Sequence, residues 1–596
     1  MASAASCVFG IERSLDGRAW RWRGGNMDLS GEATGLEHDL VDQLLLARGV
    51  ASEDLPRHRN PSLREFLPDP SVLRDMDLAA ERLAQAVLTR ETVTVYGDYD
   101  VDGATSAALL IRLLRQLGHE ARAYIPDRLL EGYGPSGEAL VRLGAEGSSL
   151  VVTVDCGAMA HEALATAHEA GIDVIVVDHH KCAHELPVAT ALVNPNRLDE
   201  GPEGAAQGHL AAVGIAFLLA VATIRTLRRL GYFSDHEEPD LFAFLDLVAL
   251  GTVADVAALH GLNRALVGQG LKVMGRRENV GMAALIDAAR LNRAPSCSDL
   301  GFALGPRINA GGRVGEASLG VRLLTSEDPE EARDIAAQLS RLNEERRGIE
   351  AAVQEAAEAQ IERLHNRSVL VLAGLGWHPG VIGIVAGRIK EKTGRPAVVI
   401  ALDADETGNG KGSGRSISGV DLGAAIIAAR ELGLLIGGGG HAMAAGLTIA
   451  PSQIEPLADF LDSRLGAAVS AATASRGLSL DLAVAPRGLT PELVDMLETA
   501  GPYGAGWPGP RICVGPVRVI KADIVGSGHV RLVLRGDDGA TVKGIAFRIA
   551  DEPFGQELLR APQAGRKLWV AGRPRVDDWS SRRQAELHLE DADWAD

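Results

Sequence analysis

The sequence of 596 residues predicts a multidomain α/β protein with a parallel sheet, a long connecting helix, a second α/β unit and a small C-terminal β-barrel. Three observations support this fold class. Short apolar runs alternate with helical segments in the first half of the chain. A charged helical pattern lies near its middle, and short β-rich runs between Gly and Asp turns fill its C-terminal part. A chain of this length is expected to form several separate cores.

The parallel sheet is predicted from three runs that have no polar face, at residues 92–96 (TVTVY), 150–154 (LVVTV) and 174–177 (VIVV). Such runs are typical of central strands that are covered on both sides. Segments of helical composition separate them, at roughly 104–118 and 158–171. The carboxyl ends of the strands should therefore meet at one edge, where the functional loops of these sheets lie.

Acidic and imidazole residues follow each of these strands, and a further Asp lies downstream. They are Asp98, Asp100 and Asp102, then Asp155, then Asp178, His179 and His180, and finally Asp255. A single Asp after a strand is more often a turn residue or a helix N-cap, and that alternative is favoured for Asp98 or Asp155 alone. Because crowded carboxylates repel each other unless cations neutralise them, the whole set indicates a metal site.

The residue types indicate which metal this site would hold. Oxygen ligands with one or two imidazoles suit Mn²⁺ or Mg²⁺, whereas a structural zinc site would require thiolates, and the sequence has no Cys-x-x-Cys pair. Four or more carboxylates are too many for one ion. We therefore expect two divalent cations, Mn²⁺ or Mg²⁺.

The same segments carry a family resemblance. Residues 96–103 (YGDYDVDG), 154–157 (VDCG), 177–180 (VDHH) and 251–255 (GTVAD) resemble, in order, the four motifs of the DHH phosphoesterase superfamily. Residues 125–134 (IPDRLLEGYG), 305–313 (GPRINAGGR), 377–383 (WHPGVIG) and 437–441 (GGGGH) are similar to the RecJ family within it. The resemblance runs from roughly residue 60 to the C-terminus. Residues 210–214 (LAAVG) depart from it, because they lack an expected Cys-Gly.

This resemblance implies an exodeoxyribonuclease that degrades single-stranded DNA from 5′ to 3′ by two-metal phosphodiester hydrolysis. It would release 5′-mononucleotides and act in DNA repair and recombination. A monomer is expected, with a single-strand-binding protein and a helicase as further partners. The alternatives are a DHH phosphodiesterase for short oligonucleotides or small phosphoesters, and a non-catalytic replication scaffold. The predicted barrel and long helix argue against the first alternative, and the complete carboxylate set argues against the second.

Roles at the site follow from this hypothesis. The expected metal ligands are Asp98, Asp100, Asp102, Asp155, His179 and Asp255, without a division between two ions. Asp178 is expected to orient an imidazole. His180 would contact either the scissile phosphate or a metal. Adjacent His residues on an extended segment should point to opposite sides, so their roles should differ.

The long helix is predicted to begin after Asp328, with Pro329 in its first turn, and to continue to about His365. Apolar residues recur at helical spacing and are interleaved with charge. Such a helix would extend roughly 50 Å, enough to connect two domains across a cleft. The alternative, a surface helix of one domain, is less compatible with this length.

The second α/β unit is predicted from strands at residues 369–372 and 397–402, with a helix at 381–393 between them. Glycine-rich loops are expected at 412–416 and before His441. The resemblance implies that this DHH-associated domain presents these loops to the substrate. A terminal 5′-phosphate would then be bound by Arg128, Arg307, Ser413 and Arg415, four residues within the family motifs. Arg313 and His441 would also bind substrate, although a surface ion pair is an equally good expectation for Arg313.

The C-terminal barrel is predicted from five β-rich runs, at residues 518–525, 530–534, 541–547, 568–574 and 585–589. Five short strands of this kind favour an OB-fold. One face would stack bases and bind phosphates through His529, Arg531, Phe547, Arg548, Trp579 and Arg582. The alternative for Phe547 is an ordinary core position.

The expected domain boundaries are an unassigned N-terminal segment at 1–59, a DHH catalytic domain at 60–325, the connecting helix at 326–365, the DHH-associated domain at 366–465 and the OB-fold at 476–596. A hydrophobic content of 46% and a charged content of 23% are typical of globular proteins. Five widely spaced cysteines suit a reducing compartment, and the N-terminus has no basic leader, so a cytoplasmic protein is expected.

The net charge of −19 argues against a nucleic-acid-binding protein that relies on its global field. The charge is unevenly distributed, because residues 511–596 contain 14 Lys and Arg against 13 Asp and Glu. Binding of DNA would therefore depend on a local basic groove, on base stacking and on the metals.

Overall fold

The computed structural model describes residues 7–24, 39–128, 131–403, 408–577 and 583–595. The chain forms two compact units. One comprises Met1–Leu67, Ala258–Gln269 and Arg476–Asp596, and the other comprises Pro68–Ala257 and Gly270–Ser475. No helix in the described ranges has both the length and the apolar character needed to cross a membrane.

The strands in the described ranges are β1 Ala19–Trp22, β2 Val93–Gly97, β3 Ala121–Tyr124, β4 Leu150–Val154, β5 Asp173–Val177, β6 Ala191–Val193, β7 Leu370–Leu375, β8 Ala397–Leu402, β9 Gly410–Arg415, β10 Gly437–His441, β11 Ala444–Ile449, β12 Gly477–Leu480, β13 Leu482–Val484, β14 Ile512–Val525, β15 His529–Gly536, β16 Thr541–Ala546, β17 Lys567–Asp577 and β18 Gln584–Ala595.

The α-helices in the same ranges are α1 Leu40–Ala47, α2 Leu55–Arg59, α3 Leu63–Phe66, α4 Met76–Thr89, α5 Val101–Gln116, α6 Gly137–Ala145, α7 His161–Glu169, α8 Pro202–Ala205, α9 Ala212–Arg229, α10 Leu245–Ala254, α11 Gly261–Arg276, α12 Val280–Ala288, α13 Cys297–Asp299, α14 Gly305–Val314, α15 Leu319–Thr325, α16 Pro329–Ile361, α17 Ile382–Thr393, α18 Leu422–Glu431, α19 Ile454–Ala474, α20 Pro491–Glu498 and α21 Pro553–Ala564.

The predicted parallel sheet is confirmed. Its strand order is β3-β2-β4-β5-β6, and every neighbouring pair is parallel. All residues of β2 and β4 are buried, because helices cover both faces. Val151 packs with α6 and α7 on one face, while α5 and α9 contact β4 on the other. The strands that the apolar runs predict therefore occupy the centre of the sheet.

The long helix is also confirmed, as α16. Asp328 caps it, because its side chain accepts a hydrogen bond from the backbone N–H of Glu330 at 2.8 Å. Ile335 and Leu339 are buried in its first half, where α12 and α14 contact it. Val353 is buried in its second half and packs with β7, β8 and α17. Helix α16 therefore packs both against α12 and α14, which follow the parallel sheet, and against the second sheet.

The second sheet has the order β10-β11-β9-β8-β7, in which only β7 and β8 are parallel. The expectation of glycine-rich loops at 412–416 and before His441 is wrong, since these segments form β9 and β10. In β9 the glycines alternate and leave no room for side chains. A Cβ on Gly412 would lie 2.6 Å from Leu447, and one on Gly414 would lie 2.7 Å from Leu422. Ser413 and Arg415 therefore project from the opposite face.

The C-terminal barrel is confirmed as an OB-fold, with β14, β15, β16, β18 and β17 in order and a β14–β17 pairing that closes it. Helix α21 lies between β16 and β17 and is absent from the sequence prediction. The described part of the N-terminal segment packs on this barrel. Strand β1 pairs with β12, and the buried Trp20 donates a hydrogen bond to Asp591 at 2.9 Å.

Candidate metal centre and substrate site

The predicted acidic and imidazole residues meet at one edge of the parallel sheet. Asp98, Asp100 and Asp102 follow β2, Asp155 follows β4, and the Asp178–His180 triplet follows β5. Asp255 arrives from elsewhere, since it is the C-cap of α10. Their side chains form three overlapping groups in which the possible ligand atoms lie within 4.8 Å of one another. These groups are Asp98, Asp100 and Asp155, then Asp155, His179 and His180, then Asp102, His179 and Asp255.

The carboxylates of Asp98, Asp102 and Asp155 are buried, those of Asp100 and Asp255 are half-buried, and all lie close together. Burial, together with the charge of Asp100, raises the pKa of both Asp98 and Asp155 well above the ordinary value. Burial and the charge of Asp255 raise the pKa of Asp102 to about 7. Burial and the charge of Asp100 likewise raise the pKa of Asp255 to about 7. Divalent cations would remove this electrostatic penalty.

Three buried ligand atoms have no hydrogen-bond partner among the described residues, namely Oδ1 of Asp98, Oδ1 of Asp155 and Nε2 of His179. The last two lie 3.2 Å apart, without the geometry of a hydrogen bond. Buried polar atoms are rarely left unpaired in a folded protein. The unpaired atoms and the oxygen-rich donor set therefore fit divalent cations of the Mn²⁺ or Mg²⁺ type.

Backbone N–H groups orient two of the carboxylates. Asp100 caps α5, because its Oδ1 accepts hydrogen bonds from Asp102 and Gly103 at 2.9 and 3.1 Å. Asp102 accepts from the N–H groups of Ala212 and Val213, at 2.7 and 3.0 Å, in the first turn of α9. These contacts lie in the LAAVG segment that departs from the family pattern. Since the backbone makes them, the departure leaves the geometry at Asp102 intact.

Asp178 orients His180. Its Oδ1 lies 2.8 Å from Nδ1 of His180 and accepts the backbone N–H of His179. Burial alone would raise the pKa of Asp178, but the hydrogen bond and charge of His180 lower it. Burial opposes the charged form of His180, but the hydrogen bond with Asp178 raises the pKa of His180 to about 9.

The two adjacent imidazoles both face the acidic cluster, with ring centroids 4.6 Å apart and planes at 65°. The expectation that they point to opposite sides is wrong, since β5 ends at Val177 and the chain bends at His180. Their partners nevertheless differ. His179 lies nearest Asp155, whereas His180 contacts Asp178.

Three residues that position the His179–His180 segment are absent from the sequence prediction. The Tyr133 hydroxyl lies 3.1 Å from both Nδ1 of His180 and the backbone carbonyl of Asp155. Asn194 donates to the carbonyl of His180 at 2.8 Å, and Asn196 donates to the carbonyl of His179 at 2.6 Å. An Asn-Pro-Asn segment directly after a buried strand was the available signal for the last two.

A cavity of about 520 Å³ adjoins His180. Its lining includes Tyr133, Met159, His180, Lys181, Cys182 and His441. The end of β10 thus brings His441, a predicted substrate-binding residue, near the Asp178–His180 triplet. This volume lies within the range of ordinary small-ligand sites.

A group of arginines lies near Asp100. Arg128 lies 5.0 Å above the ring of Tyr99, and Arg415 donates to the Ser413 hydroxyl at 3.1 Å. Arg313 donates to the carbonyl of Gly380 at 2.8 Å, just before α17. Burial, with the charges of the nearby Arg128, Arg346 and Arg415, lowers the pKa of Arg313 to about 10. Sequence reasoning did not identify Arg346.

Arg313 is not in a surface ion pair. Among the described residues, no carboxylate forms a salt bridge with Arg128, Arg313 or Arg415, and burial also lowers the pKa of Arg415. Partly buried guanidinium groups that lack a carboxylate partner are typical of a site for an anion.

Arg307 lies apart from this group. It shares α14 with Arg313, but a separation of six residues turns the two side chains to different faces of a helix. Its guanidinium donates to the carbonyl of Ala303 and the hydroxyl of Ser340, at 2.6 and 3.1 Å. The structure therefore groups Arg313, rather than Arg307, with Arg128 and Arg415.

Four residues of the predicted stacking face of the barrel are described, namely His529, Arg531, Phe547 and Arg548. Phe547 is 48% exposed, so the core alternative is wrong. Its ring contacts those of His529 and His588, with centroids 5.2 and 5.0 Å apart. Arg548 is exposed, and its backbone N–H donates to His529. Arg531 is also exposed, whereas Trp579 and Arg582 lie outside the described residues.

Comparisons with known proteins agree with this architecture. The sequence matches the DHH family N-terminal domain over residues 92–252, the DHHA1 domain over 366–467 and the RecJ OB domain over 480–591. The single-stranded-DNA-specific exonuclease RecJ of Dickeya dadantii is 37% identical, over 92% of this chain and 95% of that protein. The RecJ of Escherichia coli is also 37% identical, over 89% of this chain and 92% of its own length.

Two solved structures are similar to this fold. RecJ from Thermus thermophilus in complex with Mn²⁺ has a TM-score of 0.70 and 31% identity, and the match covers 90% of this chain and 73% of that one. The Mg²⁺ complex from the same organism has a TM-score of 0.64 and 29% identity, covering 91% and 72%. The order of the domains, the assembled acidic cluster and these similarities together show that the chain belongs to the RecJ family of metal-dependent exonucleases.

Proposed function

We propose that this enzyme degrades single-stranded DNA from its 5′ end by phosphodiester hydrolysis and releases 5′-mononucleotides. The observation that carries the proposal is the buried cluster in which Asp155 belongs to two ligand groups and His179 links the second group to a third. Shared ligands of this kind suit two cations held close together. Family membership supports single-stranded DNA as the substrate, since the relatives are described as specific for it.

The proposed metal ligands are Asp98, Asp100, Asp102, Asp155, His179 and Asp255. Two divalent cations bound there would activate water and neutralise charge on the phosphoryl oxygens. The hydrogen bonds from α9 hold Asp102 in place for this role. The N-cap bonds of Asp100 use one of its oxygens and leave the other for a cation.

His180 is proposed to donate a hydrogen bond to the scissile phosphate. Asp178 fixes the orientation of the ring, and its hydrogen bond and charge favour the protonated imidazole. Hydrolysis between the first and second nucleotides would break the bond from phosphorus to the 3′ oxygen of the first. The departing oxygen needs a proton, and a protonated imidazole that lines the adjoining cavity is suited to supply it.

The 5′ end would be recognised by Arg128, Arg313, Ser413 and Arg415. A terminal phosphate carries more charge than an internal diester, and unpaired guanidinium groups favour the more highly charged group. The cavity between His180 and His441 would hold the terminal nucleoside. Binding from the end of the strand explains why the enzyme would act as an exonuclease.

The OB-fold would hold the rest of the strand by stacking bases on Phe547 and by contacts with Arg531 and Arg548. We further propose that the boundaries near residues 60, 325, 366, 465 and 476 separate functional domains. A monomeric state, cooperation with a single-strand-binding protein and a helicase, and a role in DNA repair and recombination remain part of the proposal.

The test is digestion of single strands labelled at either the 5′ or the 3′ end, with Mn²⁺, Mg²⁺ or a chelator. We expect mononucleotides from the 5′ label at the earliest times with either metal, and no hydrolysis with chelator. Asp155→Asn should be inactive, and in chelator it should unfold at or above the wild-type temperature because it removes a buried carboxylate that its neighbours repel. Early release of the 3′ label, or hydrolysis in chelator, would contradict the proposal.

A further inference from the structure

Helix α10, which positions Asp255, has an unusual C-terminus. The N–H of Val256 donates to the carbonyl of Val253, and the N–H of Ala257 donates to that of Thr252, both at 3.2 Å. These two bonds define a Schellman motif, whose residue after the C-cap takes the left-handed conformation. That residue is Val256, with φ of 62°. Glycine is usual there, because a Cβ is strained at positive φ.

Valine is energetically unfavourable at this position, because its backbone has a positive φ. Among the described residues with positive φ other than glycine, Val256 is the only β-branched one, and three of the others, Arg90, Arg277 and Arg290, also follow helices. A β-branched residue in this region is a conformational outlier. Val256 is also 72% exposed, so burial within the fold does not offset the strain.

A second exposed apolar side chain lies on a segment that packs against the same helix end. Phe302 is 78% exposed and belongs to a π-helical turn, Leu300–Leu304. A Cβ on the neighbouring Gly301 would lie 3.8 Å from Val253, and one on Gly305 would lie 3.3 Å from Ala254. Turns of this type are rare and frequently occur at functional sites. Two uncommon backbone features thus present apolar side chains next to the helix end that carries Asp255.

We propose that Val256 and Phe302 contact nucleobases of the bound single strand, next to the scissile phosphate. This inference rests on the proposed function. With the terminal nucleoside in the cavity at His180, a phosphate held at the Asp255 and His179 end of the cluster leaves the bases of the following nucleotides to project away from the carboxylates. Bases offer apolar faces that stack on aromatic side chains. Nucleobases therefore complement these side chains, whereas an acidic or strongly hydrated ligand would not.

The test compares Val256→Gly and Phe302→Ala with two matched controls. Arg90→Gly makes the same change at another left-handed helix end, which precedes β2 and so lies at the opposite edge of the sheet. Phe242→Ala removes a 59% exposed Phe just before the start of α10, at the other end of that helix. The probes are a single-stranded oligonucleotide and the same strand with abasic residues at the second and third nucleotides, which lie beyond the scissile phosphate. Affinity is measured with Ca²⁺, and kcat/KM with Mn²⁺.

Each site variant should lose about five- to fiftyfold in affinity and kcat/KM on the normal strand, and less than twofold on the abasic strand. Both controls should match the wild type, and Val256→Gly should unfold at or above the wild-type temperature because it removes strain. Unchanged affinity in Phe302→Ala and Val256→Gly, or equal losses on both strands, would overturn the inference. A wild-type protein that hydrolyses neither strand would instead contradict the proposed function.

Discussion

Replacing Arg313 by Gln should weaken binding of the 5′ end of the strand without lowering the stability of the protein. Gln removes the charge but keeps a donor for the carbonyl of Gly380. Burial and the charges of Arg128 and Arg346 lower the pKa of Arg313 from 12.5 to about 10. The charged guanidinium therefore lowers the free energy of unfolding at every pH below about 10. One pKa unit is about 1.4 kcal/mol, which sets an upper limit of about 3 kcal/mol on this cost. The variant should therefore unfold at the same or a higher temperature.

The same substitution should impair catalysis at phosphorylated ends. A charge-assisted hydrogen bond contributes about 1.5–3 kcal/mol, so kcat/KM should fall by roughly tenfold to hundredfold on 5′-phosphorylated strands. The loss on 5′-hydroxyl strands should be smaller. Inorganic phosphate should raise the unfolding temperature of the wild type but not of the variant.

The matched control for this experiment is Arg333→Gln. Arg333 lies in the first turns of α16, is 67% exposed and pairs only weakly with Glu330, at 3.9 Å. Its loss should leave both substrates and the unfolding temperature unchanged. Equal losses of Arg313→Gln on both substrates, or a fall of several degrees in its unfolding temperature, would refute the assignment of Arg313 to the terminal phosphate.

Three further predictions concern the acidic cluster, the Asp178–His180 pair and the barrel. The folded pKa values of Asp102 and Asp255, about 7, exceed the ordinary 3.8, so without metal the folded state retains protons that the unfolded state loses, and stability should fall as pH rises from about 4 to 7. Because cations displace these protons, Mn²⁺ should raise the unfolding temperature more at pH 8 than at pH 6, and an equal rise at both pH values would contradict this linkage. Asp178→Asn should lower kcat by about ten- to hundredfold with little change in KM, since it loosens His180, and a change confined to KM would argue against that role. Phe547→Ala should weaken binding of long single strands by about five- to fiftyfold while hydrolysis of very short strands changes little, and equal effects on both lengths would exclude stacking on the barrel.

The central strands of the parallel sheet were predictable because their short apolar runs are rich in β-branched residues and are separated by helical segments. The same reasoning failed at β9 and β10. Glycine has a low intrinsic preference for strands. The side chains that require it in β9 belong to other elements, Leu422 to helix α18 and Leu447 to strand β11. Sequence alone does not reveal such close approaches between elements.

The acidic cluster was predictable because strand ends in a parallel sheet share an edge. The arginine group was predicted less well. Arg307 and Arg313 lie in one sequence motif, but that motif forms a helix, in which a separation of six residues places the two side chains on different faces. Tyr133 approaches His180 only through the tertiary fold. The strained φ of Val256 likewise has no signature in the sequence.

The proposed hydrolysis requires two divalent cations in this cluster. Crystals soaked in Mn²⁺ and measured at the manganese absorption edge test this requirement directly. We expect two anomalous peaks about 3.5–4 Å apart, with the Asp155 carboxylate in contact with both. A single peak, or two peaks that share no ligand, would contradict it.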